Sequence, residues 1–160
     1  MLFSFFKKER LQIVAPVNGA IIPLEEVPDP VFSQKMMGEG IAVIPTAGNI
    51  HAPVNGRVIL IAATKHAIGI RADDGAEILI HVGLETVGLN GNGFTLAVQE
   101  GDKILVGQLL IEVDWKYIQS HAKSTITPLV ITNSEEGKRQ FTLTKEVSAV
   151  QGETIMITCS

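Results

Sequence analysis

VAPVNGA (residues 14–20) and HAPVNGR (residues 51–57) carry the same five letters, Ala-Pro-Val-Asn-Gly, at an offset of 37 residues. Proline fixes φ at about −65° and starts a bend, while Asn-Gly tolerates positive φ, so the motif is expected to reverse the chain tightly. Apolar residues flank both copies: Leu11, Ile13 and Val14 ahead of the first, Val58, Ile59, Leu60 and Ile61 behind the second. Each copy therefore reads as strand, tight turn, strand, and the spacing predicts an internally duplicated β-domain. A solenoid would need at least about three repeats. Two ordinary hairpin turns that happen to match are the competing explanation.

The remaining pattern agrees with β structure. Fifteen Gly and seven Pro punctuate short, β-branched apolar runs. IAVIP, RVILIAA, HAIGIRA, AEILIHVGL, KILVGQLLIEV, STITPLVIT, RQFTLTKEV and ETIMITC each read as one strand. Several are apolar almost throughout, as in strands buried in a sandwich. One helix stands out, DWKYIQSHAKS, with Asp114 as N-cap and Trp115, Ile118 and Ala122 on one face. A shorter helix or turn is expected over 30–37 (PVFSQKMM). The predicted fold is all-β, a curled antiparallel β-sandwich with one or two short helices.

At 160 residues, 46% apolar and 19% charged, the chain is long enough for one domain with a real core. The expected organisation is a tail over 1–12 and a single domain over 13–160. The net charge of −4, with no basic cluster, argues against nucleic acid as a partner. A lone cysteine, Cys159, excludes an internal disulfide and fits a reducing, cytoplasmic compartment. The opening MLFSFFKKER reads as a frayed end or as a short membrane-surface anchor. In the second case Leu2, Phe3, Phe5 and Phe6 would enter the interface beside Lys7, Lys8 and Arg10.

The chemistry concentrates in TKHAIGIRADDGAEILIHVGLETV, residues 64–87, where Asp73-Asp74-Gly75 marks a hairpin. Alternation puts Thr64, His66, Ile68 and Ile70 on one face, and Glu77, Leu79 and His81 on one face of the next strand. Whether the histidines meet depends on register. Pairings whose residue numbers sum to 147 or 149 bring them together, within ~4.5–8 Å at Cβ, whereas a sum of 148 sends them to opposite faces. A same-face pair can bind metal, act as acid and base, or make one imidazole a nucleophile and the other a stabiliser of developing charge. Zinc is the weaker branch, since a closed site wants four ligands and neither H-x-x-x-H nor C-x-x-C is present. For either histidine alone, a hydrogen-bonded core role is the plainer reading.

The series PDPVFSQKMMGEGIAVIPT, HAPVNGRV, TKHAIGI, EILIHVGLETVGLNGNGF, EGDKILVGQ and KSTITPLVITN resembles the glucose-type enzyme IIA family of the bacterial phosphoenolpyruvate:sugar phosphotransferase system, in order from about residue 14 to 157. The most specific part is HVG-x-[DE]-TV with T-x-HA upstream. The resemblance implies a duplicated hybrid motif and a phosphohistidine carrier in which His81 accepts the phosphoryl group. It further implies that His66 contacts and orients the phosphate and that Thr64 orients His66, with no metal and no cofactor. The implied partners are the histidine-containing phosphocarrier protein as donor and a sugar-permease IIB domain as acceptor. Val31, Phe32, Met36 and Met37 would form the apolar docking face, with Asp29 and Glu85 at its edge; Glu85 stands where the family often has Asp. Ordinary core is the alternative for Phe32 and the methionines. Two rival functions are a biotinyl- or lipoyl-type carrier modified on Lys35 in QKMMG, and a zinc hydrolase on a related duplicated β fold. A regulatory binding protein without transfer ability is a third. The sugar served is set by the permease.

Overall fold

The computed structural model describes residues 10–137 and 139–160. The strands run β1 (Leu11–Val14), β2 (Asn18–Pro23), β3 (Glu39–Ala47), β4 (Ile50–His51), β5 (Gly56–Ile61), β6 (Ala67–Ala72) and β7 (Glu77–His81). They continue with β8 (Phe94–Leu96), β9 (Lys103–Ile104), β10 (Leu109–Val113), β11 (Thr127–Ile131), β12 (Phe141–Leu143), β13 (Ser148–Ala149) and β14 (Ile155–Cys159). Two short helices, α1 (Pro30–Ser33) and α2 (Trp115–His121), complete the set with two 3-10 turns, Leu24–Glu26 and Thr86–Leu89. The expected all-β antiparallel sandwich is what forms.

The strand order exposes the duplication. An eight-stranded sheet runs β13-β2-β3-β11-β7-β6-β5-β9, and two three-stranded sheets run β1-β14-β12 and β4-β10-β8. The first four strands of the large sheet mirror the last four, and the two small sheets match strand for strand. One half is contiguous, β4 to β10. The other is split around it.

The repeated motif makes corners, not hairpins. β1 pairs with β14 in a small sheet, and β2 pairs with β3 and β13 in the large one. β4 and β5 are divided between sheets in the same way. Neither Asn nor Gly of either copy has positive φ. Each glycine is there for a close approach: a Cβ on Gly19 would run into the main-chain oxygen of Ile44, and one on Gly56 into that of Arg71. Each asparagine ties down a loop, Asn18 Oδ1 accepting from Gln151 N–H (2.7 Å) and Asn55 Oδ1 from Val106 N–H (2.8 Å). The corners also bond each other reciprocally. Val14 N–H donates to Pro53 C=O (3.1 Å) and His51 N–H to Pro16 C=O (2.9 Å).

Laying Gly19 on Gly56 sets the register between the halves. Ile44 then falls on Arg71, Gly40 on Ala67, and their strand partners Val130 and His81 on each other.

The inner face of the large sheet packs on the small sheets around Ile13, Ile50, Ile68, Ile70, Ile78, Ile80, Leu110 and Ile111, all essentially inaccessible. At about 25 cal/mol per Å² of apolar surface, this cluster is the main source of stability. A second cluster covers the outer face. Leu24, Val27 and Phe32, from the segment between β2 and β3, pack on Ala42, Ala67, Leu79, Leu84 and Val130.

Two expectations change at the level of elements. KILVGQLLIEV is two strands, because Gly107 (φ 87°) turns the chain between β9 and β10. The tail boundary at residue 12 falls inside β1, where Leu11 and Gln12 pair with Cys159 and Thr158. The helix or turn expected over 30–37 forms as α1 followed by a turn over 34–37, in which Lys35 has φ 54°. The membrane-anchor reading of Leu2, Phe3, Phe5, Phe6, Lys7 and Lys8 lies outside the described residues. Both N-caps form as chemistry dictates: Asp29 accepts from Val31 N–H (3.0 Å) ahead of Pro30, and Asp114 from Tyr117 N–H (3.1 Å).

Candidate active site

β6 and β7 pair Ala67 with His81 and Ile68 with Ile80, a sum of 148. That is the register expected to separate the histidines, yet their rings meet edge-to-face with centroids 4.8 Å apart. The alternation rule fails because His66 lies one residue before β6. Lys65 takes a left-handed conformation (φ 63°) and turns His66 away from the inner face, where Ile68 and Ile70 are buried. The face shared by Thr64, His66, Ile68 and Ile70 in the strand reading does not exist. His66 C=O still accepts from Val82 N–H (2.7 Å), so the ladder runs past the strand end and fixes the turn beside His81.

Each ring has a partner for its Nδ1. His81 Nδ1 lies 2.8 Å from Gly83 C=O, and a carbonyl only accepts, so the proton is on Nδ1 and Nε2 keeps its lone pair. Gly83 (φ 78°) can present that carbonyl because a Cβ would strike Thr86 Cγ2, and Thr86 Oγ1 donates to Val82 C=O (2.8 Å) to brace the turn. His66 Nδ1 lies 2.7 Å from Thr64 Oγ1. Burial lowers the pKa of His66 below the ordinary 6.5, and positive charge on His81 would push the same way. Burial also lowers His81, outweighing the Gly83 carbonyl and Asp29, which favour the cation. Two neutral imidazoles stand side by side at neutral pH.

His66 is buried (7% exposed) and His81 partly exposed. Clefts of about 270–420 Å³ on the described residues are lined by neither histidine. Of the residues expected on a docking face, Val31 (38% exposed) and Met36 (69%) present apolar surface, Met37 is half-buried against the outer cluster, Asp29 is partly exposed and Glu85 is exposed. Phe32 differs from its expected place on a docking face. It is 3% exposed and lays its ring against His81, centroids 5.1 Å apart. A surface contact is closed to it; it backs the imidazole. Sequence reasoning missed the Gly83 carbonyl and the Lys65 turn, although the glycine two residues after His81 was in view.

Lys35 does not crown a hairpin, as a carrier-domain lysine would. It sits in the turn after α1 with its ammonium 3.2 Å from Glu39 and 3.9 Å from Glu25. Among the described residues no set of three or more His, Cys, Asp or Glu is arranged to hold a metal ion, so a hydrolytic zinc would lack its third protein ligand.

Comparison with known proteins agrees with the fold. Residues 11–137 match the family model described as phosphoenolpyruvate-dependent sugar phosphotransferase system, EIIA 1. The chain is 50% identical over 145 residues to the PTS system glucose-specific EIICBA component of Staphylococcus saprophyticus, covering 91% of this chain and 21% of that protein. The solved structure of glucose permease IIA from Mycoplasma capricolum superimposes with a TM-score of 0.86 at 40% identity, over 95% of this chain and 97% of that one. The chain spans about a fifth of the length of that curated relative. On these grounds the chain belongs to the EIIA 1 family of the phosphoenolpyruvate-dependent sugar phosphotransferase system and is a phosphotransferase component of sugar transport.

Proposed function

We propose that His81 Nε2 is the phosphoryl acceptor, with His66 and Thr64 as its supporting pair. The observation that carries this reading is the Nδ1–H of His81 committed to Gly83 C=O (2.8 Å), which leaves Nε2 unprotonated beside the His66 ring. The Nε2 lone pair attacks phosphorus in line. A new N–P bond forms as the N–P bond to the donor's imidazole breaks, and that electron pair stays on the donor ring. His81 neither gains nor loses a proton. Phosphoryl transfer passes through a loose transition state with charge spread over three equatorial oxygens, so positioned donors do most of the work. Thr64 Oγ1–H donating to His66 Nδ1 puts the other ring proton on Nε2, as an N–H donor to those oxygens.

The donor is the histidine-containing phosphocarrier protein and the acceptor a IIB domain of a sugar permease. A shallow face rimmed by Val31, Met36 and Met37, with Asp29 and Glu85 at its edge, suits two successive partners better than a deep pocket. Methionine repacks readily against different surfaces. Residues 11–160 act as one EIIA unit on the cytoplasmic side. In support, no helix of the described residues is long and apolar enough to cross a membrane. The glucose specificity of the relatives makes a glucose-type permease the first acceptor to try.

The test is label transfer from phosphoenolpyruvate through enzyme I and the phosphocarrier protein. One acid-labile phosphate is expected on the wild type and none on His81→Ala. Label on His81→Ala would refute the assignment.

A further inference from the structure

Four Asn-Gly pairs occur in the chain, at residues 18–19, 55–56, 90–91 and 92–93, and the fold treats them differently. The first two are the corners. Their glycines sit in β2 and β5 under a neighbouring strand's backbone, and both asparagine side chains accept main-chain hydrogen bonds. Asn92 is exposed, but Gly93 is wedged against α2, where a Cβ would stand 2.9 Å from Ile118 Cδ1 and 3.0 Å from Tyr117 Cδ1. Gly93 C=O also accepts from Asp114 N–H (2.9 Å). Asn90 is exposed in a left-handed conformation (φ 54°) and is followed by Gly91 (φ 87°). Among the described residues neither the Asn90 side chain nor Gly91 N–H has a hydrogen-bond partner. The nearest neighbour to a Cβ at Gly91 would be the flexible stem of Lys65, 3.5 Å away at Cδ.

We propose that Asn90 is a site of spontaneous deamidation, which turns the loop packed against the Lys65 stem from neutral to acidic as the protein ages. The chemistry needs only water. The Gly91 main-chain nitrogen, losing its proton, attacks Asn90 Cγ. The new C–N bond closes a succinimide as the bond from Cγ to Nδ2 breaks and ammonia leaves with the proton. Water then opens the ring at one carbonyl or the other, giving Asp or isoaspartate. Ring closure requires the Asn–Gly linkage to rotate. Glycine lowers the steric barrier, and among the described residues Asn90 and Gly91 are held only by Asn90 N–H to Val87 C=O (3.4 Å) and Phe94 N–H to Gly91 C=O (3.3 Å), against the sheet and helix packing at the other three pairs. Gly91 faces the Lys65 stem, and Lys65 lies between Thr64 and His66 in sequence, so the new carboxylate at residue 90 adds negative charge for an incoming phosphoryl dianion to meet. This functional consequence rests on the assignment of His81 as acceptor; the modification itself does not.

The experiment is peptide mapping of the full-length protein held at mildly alkaline pH, with a urea-unfolded control reporting the rate each pair has without the fold. Asn90 is expected to convert in the folded protein at close to its unfolded rate, Asn92 more slowly, and Asn18 and Asn55 slowed by at least about tenfold. Conversion at Asn18 or Asn55 as fast as at Asn90, or protection of Asn90 equal to theirs, would overturn the site. Asn90→Gly tolerates the left-handed conformation and cannot convert, so it should keep its initial phosphate-acceptance rate through the same incubation. Asn90→Asp should accept phosphate about twofold more slowly at low salt, a deficit erased at high salt, as for one screened surface charge. Equal rates for Asn90→Asp and the wild type at low salt would overturn the functional consequence. Label on a residue other than His81 would overturn the acceptor assignment and leave the peptide map standing.

Discussion

His81 and Val130 hold matching places in the duplicated sheet and share no chemistry. His81 pairs with Ala67, Val130 with Gly40. The residue before Ala67 is His66, against the His81 ring; the residue before Gly40 is Glu39, engaged with Lys35. Val130 is wholly buried under the outer cluster that Leu24, Val27 and Phe32 build, whereas His81 is partly exposed at the rim of that cover. The duplication thus supplies a rigid scaffold twice and a pair of facing histidines once. The asymmetry comes from the segment between β2 and β3, which lies across the outer face and seals one position while backing the other with an aromatic ring.

The sharpest way to break this comparison is to move the histidine. His81→Ala combined with Val130→His should show no phosphate acceptance, because the transplanted imidazole is sealed under the cover; recovery of label would mean that burial does not separate the two positions. His66→Gln should still take up label, while its transfer onward falls on the order of a hundredfold, the scale of losing one preorganised donor. Thr64→Val should lie between that variant and the wild type in single-turnover transfer. An unchanged rate would remove the tautomer argument.

The scaffold side makes a symmetric prediction. Gly19→Ala and Gly56→Ala should each cost about 1–3 kcal/mol or more in urea unfolding, since both place a Cβ against a carbonyl of the facing strand. Asn18→Ala and Asn55→Ala should each cost about 1 kcal/mol, for a lost hydrogen bond to a loop N–H, with phosphate acceptance unchanged. A large difference between the two corners would contradict the matched geometry.

The smallest effect is in pH. Both histidines of the candidate site have folded-state pKa values below the ordinary 6.5, so the unfolded protein binds protons more readily than the native one. Their contribution to stability is therefore full above about pH 6.5 and is lost as pH falls through the folded values. Urea midpoints should drop on acidification, and the double variant His66→Gln, His81→Gln should show a shallower decline. A steeper one would reverse the sign of the argument.

Much of this was legible in the sequence. Periodicity and turn residues gave most strands, Asp114 marked its helix, and the spacing of His66 and His81 named the candidate pair. The failures share a cause. Asn-Gly reads as a reversing turn when nothing crosses it, but in both corners the neighbouring strand's backbone, absent from any local window, dictates an extended glycine. Alternation likewise presumes a strand, and His66 stands one residue outside one, where a left-handed Lys65 resets the direction. The family resemblance sets Phe32 on the docking face, with core as the alternative, and only the packing of α1 on the sheet decides for the core.

By itself, then, the order of residues determined the β architecture, its duplication and which histidines were candidates to meet, because these follow from short-range periodicity, a repeated motif and residue type. The tertiary structure alone decided that the repeats are corners, that the rings converge despite their register, and that only one of two equivalent positions is open. Those outcomes depend on what packs across a segment from far along the sequence: a facing carbonyl at Gly19 and Gly56, and a covering loop over Val130.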